Sequence, residues 1–196
     1  MKTLILKLLG RGAPRYSAGK VAGLFLSIAT ATCFGCGAAG AVIAFNADGT
    51  AQGSGAFGYA ALVGLTLLMA LIFLSLGTMV ALLARTRARA FGYSLFVWFF
   101  LVLFYDLLVM GLAFLLKERI ANVVIFASLF GNPADMVRVA ALIAMGGTTI
   151  FGAAGALLIK FLGGAVTAWA LLICALIAWA VVPLAVANRI LKKQDI

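Results

Sequence analysis

From Ala90 to Leu116 the chain runs 27 residues with a single charged side chain, Asp106. At roughly 1.5 Å per residue a helix of that length crosses a hydrocarbon core about 30 Å thick with room for tilt. The run is introduced by Arg85, Arg87 and Arg89 and followed by Lys117. Basic residues are retained on the cytoplasmic side, so the arginine end is expected inside and the lysine end outside. This single span fixes how every other apolar run must be threaded.

Composition agrees. Hydrophobic residues make up 66% of the 196, and only 10% are charged, so uninterrupted apolar runs recur that a soluble domain of this size has no use for. The predicted class is an all-α integral membrane protein. The formal charge of +10 would suggest nucleic acid in a soluble chain. Here the basic residues gather at the ends of apolar runs, so topology and anionic lipid headgroups account for the charge, and no nucleic-acid partner is expected.

Residues 1–20 carry Lys2, Lys7, Arg11, Arg15 and Lys20, with Leu4, Ile5, Leu8 and Leu9 at helical spacing. Gly10, Gly12 and Pro14 break that pattern, and the segment is expected to lie at the inner membrane surface. Spans are expected at about 21–45, 57–84, 90–116 and 165–187, with 188–196 as a cytoplasmic tail. Ala29, Ala31, Gly35, Gly37 and Gly40 give the first span a small-residue face for close packing.

The stretch 118–164 is the hard part. Ile120 to Ala134 is too short to cross, and Asn132-Pro133 should interrupt a helix there, because proline disfavours the helical region for its predecessor. Val139 to Ile159 could cross on length alone. Charge parity argues otherwise: four spans leave eleven basic residues inside, in short segments, and only Lys117, Arg119, Arg138 and Lys160 outside. The expected arrangement is a re-entrant extracytoplasmic hairpin before the last span. Non-helical backbone at membrane depth needs protein cover, which the small residues of GGTTIFGAAGA permit.

Few residues suggest chemistry. There is no histidine and no GxxxxGK[ST] loop, so the usual zinc and haem sites, histidine acid–base work and nucleotide hydrolysis by this chain are not expected. No cofactor is implied, and a non-catalytic subunit is the expectation. Cys33-x-x-Cys36 has the spacing of a redox or soft-metal pair, or the two are small packing residues in an apolar span. Asp106 should lie near mid-membrane, where a charge must face protein, be neutralised or find a cation such as Lys160 or Arg138. It is either a functional residue or half of a structural pair. In Asn132-Pro133-x-Asp135-x-x-Arg138, Asn132 is a helix cap, Pro133 suits the first helical position, and Asp135 complements the helix dipole.

The order of these parts resembles the later portion of an ABC-2 type (type V) exporter permease. TLILKLLGRGAPRYSAGK, FLSLGTMVALLARTRARAFGYSLFVWFFLVLFYDLLV and GNPADMVR resemble, more narrowly, permeases of the copper-processing ABC transporters that accompany nitrous-oxide reductase maturation. The resemblance covers nearly the whole chain. It implies a homodimeric, multi-pass permease of the bacterial inner membrane, driven by a separate ATPase and working with a periplasmic copper-binding subunit.

In that family LGRG-x6-GK, here Leu9–Gly12 and Gly19-Lys20, follows the helix that docks on the ATPase. Arg11, Arg15 and Lys20 are therefore the expected coupling contacts, and Asn132, Pro133, Asp135 and Arg138 the outer gate or partner contact. Such permeases have two further spans ahead of this point, so the resemblance implies an internal start, a truncated gene or a fragment at Met1. A permease exporting a lipid, drug or polysaccharide, or a membrane scaffold without transport, are the competing expectations.

Overall fold

The computed structural model describes residues 13–46, 53–84, 86–145 and 163–194, and the regular structure among them is helical. The helices are α1 (Ala13–Asn46), α2 (Gly53–Leu83), α3 (Arg87–Phe99), a π-helical turn (Phe100–Phe104), α4 (Tyr105–Leu115), α5 (Glu118–Leu129), α6 (Pro133–Ala144) and α7 (Ala165–Gln194). Four stretches are long and apolar enough to cross a membrane: Gly19–Phe45, Gly55–Leu83, Arg87–Leu115 and Ala165–Ile190. The third is one span built from α3, the π turn and α4.

α1 starts at Ala13 and runs without interruption into its span. Pro14 does not break it, because proline in a first turn gives up an N–H that has no helical partner there. Residues 13–18 therefore belong to the same helix as the first span, which begins at Gly19. Residues 1–12, with Arg11, lie outside the described residues.

α2 is the central element and packs against α1, α3, α6 and α7. Its Leu65, Ile72 and Leu76 fall on one helical face and meet Ala168, Leu172, Leu176 and Ala180 of α7, which recur every four residues. Met136, Val139 and Ala140 of α6 enter the same core. Outer faces remain apolar: Phe34, Phe45, Phe114 and Leu115 are all more than four-fifths exposed, a surface compatible with lipid and not with water. The chain is a multi-pass membrane protein.

α5 and α6 are joined by a tight turn and bent 94° to each other. Both feet of this V stand at one end of the bundle. α5 begins three residues after α4 ends, across an extended Leu116-Lys117 link. Met145, just past α6, sits on Gly58 at the start of α2, with its Cα 3.1 Å from where a Cβ on Gly58 would lie. A chain that enters and leaves at the same end has not crossed, so the pair is a re-entrant hairpin. Residues 146–162, which hold the rest of the Val139 to Ile159 run, lie outside the described residues.

The contact at Gly58 gives a direct test of this arrangement. A Cβ there would also stand 3.2 Å from the Ala144 carbonyl oxygen, so backbone must move to admit any side chain. Gly58→Val is expected to cost about 1–3 kcal/mol by overpacking, read as a lower melting temperature in detergent. Gly77→Ala is the control, since a Cβ at Gly77 has nothing within 4 Å.

Candidate functional site at the hairpin tip

The turn between α5 and α6 is Phe130-Gly131-Asn132, and it reaches the middle of the bundle. Asn132 touches Leu101, the midpoint of the Arg87–Leu115 span, and the Trp179 indole donates to the Phe130 carbonyl at 3.0 Å from near the middle of the last span. The tip thus lies at hydrocarbon depth. Its polar groups must find partners in protein, because lipid supplies none.

Asn132 is the hub, and it is fully buried. Extended backbone at Asn132 leads into Pro133, and the Asn132 Oδ1 accepts the Ala134 N–H at 3.0 Å, capping α6. With its oxygen so used, Nδ2 faces acceptors only. It donates to the Leu101 carbonyl at 2.8 Å and to Asp135 Oδ2 at 3.0 Å, which takes both of its hydrogens, and lies 3.4 Å from Asp106 Oδ1.

The π turn is what makes Leu101 available. In a regular α-helix the Leu101 carbonyl would receive the Tyr105 N–H, but that N–H bonds to Phe100, five residues back. The extra residue re-aims the outer half of the span. Tyr105 donates its hydroxyl to the Ser128 carbonyl at 2.7 Å, lying so close over Gly131 that a Cβ there would collide with it. Asp106 turns toward α6.

Arg138 completes the group from the second turn of α6. Its Nη1 lies 3.0 Å from Asp135 Oδ1, an i,i+3 neighbour on the same helix face, and 3.4 Å from Asp106 Oδ2 on the third span. One guanidinium nitrogen thus bridges two carboxylates belonging to different elements. The Asp106 and Arg138 side chains are 36% and 60% exposed, although they sit at hydrocarbon depth.

Of the residues singled out in the sequence, the structure brings together Asp106, Asn132, Pro133, Asp135 and Arg138. Lys160, the other cation considered for Asp106, lies outside the described residues, as does Arg11. Arg15 falls in the first turns of α1, where side chains are not described. Lys20 stands far from the tip, on a groove between α1 and α2. Cys33 and Cys36 are one helical turn apart on α1, Cys33 exposed and Cys36 half-buried, and the Cys36 carbonyl accepts the Tyr59 hydroxyl. No group of three or more His, Cys, Asp or Glu side chains suited to a metal converges among the described residues.

Sequence reasoning missed Tyr105, Gly131, Trp179 and the Leu101 carbonyl. A signal existed for two of them. Tyrosine and tryptophan favour the membrane interfaces, where the polar end meets water. One placed mid-span needs an internal partner, and Tyr105 finds it at Ser128 in the last turn of α5, Trp179 at Phe130 in the hairpin turn.

The chain is also similar to proteins of known family. Residues 15–196 match the family described as ABC-2 family transporter protein. The chain is 32% identical over 199 aligned positions to the probable ABC transporter permease protein NosY of Pseudomonas aeruginosa, an alignment that covers 99% of this chain and 69% of that relative. A re-entrant hairpin set among membrane-crossing helices, together with a match over nearly the full length, leads to one conclusion: the chain belongs to the ABC-2 family of transporter permeases.

Proposed function

We propose that this permease couples ATP hydrolysis on a separate ATPase subunit to transport that serves copper–sulfur centre assembly in nitrous-oxide reductase. The transport path, on this reading, passes the hairpin tip. The observation that carries it is the exposure of Asp106 and Arg138 at mid-depth. A charge at the bilayer centre costs about 2.5–3.5 kcal/mol on insertion scales, so these groups are expected to face an aqueous path or another protein surface. A scaffold would have no need of such a face. The copper–sulfur assignment is supported by the sequence motifs and by the likeness to the NosY permease.

The working unit is a homodimer in the bacterial inner membrane, with α1's start and α7's end cytoplasmic. The ATPase pushes on the basic segment holding Arg11, Arg15 and Lys20. The spans carry the motion to the hairpin, where Asn132, Pro133, Asp135 and Arg138 act as the outer gate and as the contact for a periplasmic copper-binding subunit. No residue of the chain performs covalent chemistry in this scheme.

Co-purification tests it first: the tagged permease, expressed with its upstream reading frame and neighbouring genes, should retain an ATPase in mild detergent. Reversing charge with Arg11→Glu and Arg15→Glu should lower stimulation of that ATPase severalfold and leave membrane insertion intact. Unchanged stimulation would remove the coupling role from this segment.

A further inference from the structure

Pro183 lies inside α7, in the later half of its span. A proline within a helix withholds one N–H, and its ring presses on the carbonyl four residues back, so the helix bends or yields there. That carbonyl belongs to Trp179. Trp179 is also the residue through which α7 holds the hairpin, its indole N–H donating to the Phe130 carbonyl at 3.0 Å. Phe130 closes α5, and the Ala134 N–H that a continuing helix would bring to its carbonyl is taken by Asn132 Oδ1. The indole stands in for that helical donor. One residue therefore sits both at the yielding point of α7 and at its tie to the hairpin turn.

Packing divides α7 at the same place. Its core residues are Ala168, Leu172, Leu176 and Ala180, all ahead of the proline. Beside the proline a groove of about 360 Å³ opens between α7 and α2, walled by Leu76 and Met79 on α2 and by Ala178, Trp179 and Val182 on α7. Apart from the indole these side chains are apolar, and the methionine is the most adaptable of them in shape. The bend of α7 can change along this groove with one polar contact at stake, the hydrogen bond from Trp179 to Phe130.

We infer that Pro183 and Trp179 act as hinge and latch: bending of α7 at Pro183 makes or breaks the Trp179 bond to Phe130, and so links the end of the last span to the hairpin tip. This deepens the gate reading of the hairpin and takes its purpose from it, while the mechanical link itself holds whatever the permease moves.

Hydrogen exchange of the full permease in nanodiscs, without nucleotide and followed by mass spectrometry over residues 126–138, tests it. Trp179→Phe removes the latch and should speed exchange at the turn about fivefold, the ratio that corresponds to roughly 1 kcal/mol for one hydrogen bond. Pro183→Ala returns an N–H to the helix and should melt no lower than the wild type. It nevertheless straightens α7 under Trp179, and should speed the same exchange by a similar factor. The double variant should also show about fivefold, because both changes open one latch. A purely structural proline predicts the reverse, a stiffer α7 and slower exchange. Unchanged or slower hairpin exchange in either single variant would overturn the inference, and so would multiplied effects in the double variant. ATP is then added to the permease with its ATPase. If the variants behave as expected and ATP leaves hairpin exchange unaltered, the gate reading fails and the hinge stands.

Discussion

Asn132→Leu is expected to destabilise the protein by about 2–4 kcal/mol, more than any other single change at the hairpin. Two separate losses add. The Ala134 N–H loses its cap, which for asparagine is typically worth about 1 kcal/mol. The Leu101 carbonyl, left by the π turn without its α-helical donor, loses the amide that reaches it at 2.8 Å, and a buried unpaired polar group costs about 1–3 kcal/mol. Leucine has as many side-chain heavy atoms as asparagine, so the loss is of polar partners and no cavity is left. Asn132→Asp separates the terms, because it keeps the cap oxygen, removes the donor and adds a third carboxylate beside Asp106 and Asp135. It should be at least as damaging as leucine. Melting in detergent, followed by tryptophan fluorescence, reads both. Wild-type melting by Asn132→Leu would mean that the hairpin tip is held by apolar contacts alone.

Arg138→Met should abolish most of the transport-linked activity while Asp106→Asn with Arg138→Met restores part of it. On a water-exposed surface, losing an ion pair of this geometry would matter little, about 0–1 kcal/mol. Here the guanidinium is shared by two carboxylates at hydrocarbon depth, and removing it leaves them facing each other. Neutralising Asp106 as well relieves that repulsion. The two changes should therefore be non-additive, by about 0.5–3 kcal/mol in a double-mutant cycle on stability, with ATPase stimulation following the same order. Strict additivity would show that Arg138 acts on neither carboxylate, and the gate role would lose its physical basis.

The sequence showed some of this directly and hid the rest for identifiable reasons. Apolar length locates a span to within a few residues, because the bilayer imposes it: the run Ala90 to Leu116 became Arg87–Leu115. Asn132-Pro133 announces a turn because proline acts on its own neighbour. The π turn has no such signature, since Phe100–Phe104 is as apolar as the residues on either side, and hydrogen-bond register leaves no mark on hydropathy. For the same reason the choice of cation for Asp106 could not be made between Arg138 and Lys160. That choice depends on which way Asp106 faces. Pro14 misled in the opposite direction, as a breaker that the first turn of a helix accommodates.

The π turn also divides the third span into two reading frames. One residue of an α-helix corresponds to about 100° of rotation, so everything after Phe104 is turned by that angle relative to the helix that begins at Arg87. Before the turn, the inward face is set by packing on α2; after it, by Tyr105 and Asp106 meeting the hairpin. A straight helix through the same residues could satisfy one of these surfaces and would swing the other away. The span thus serves two partners that differ in phase, and the single surplus residue is the whole of the adaptor between them.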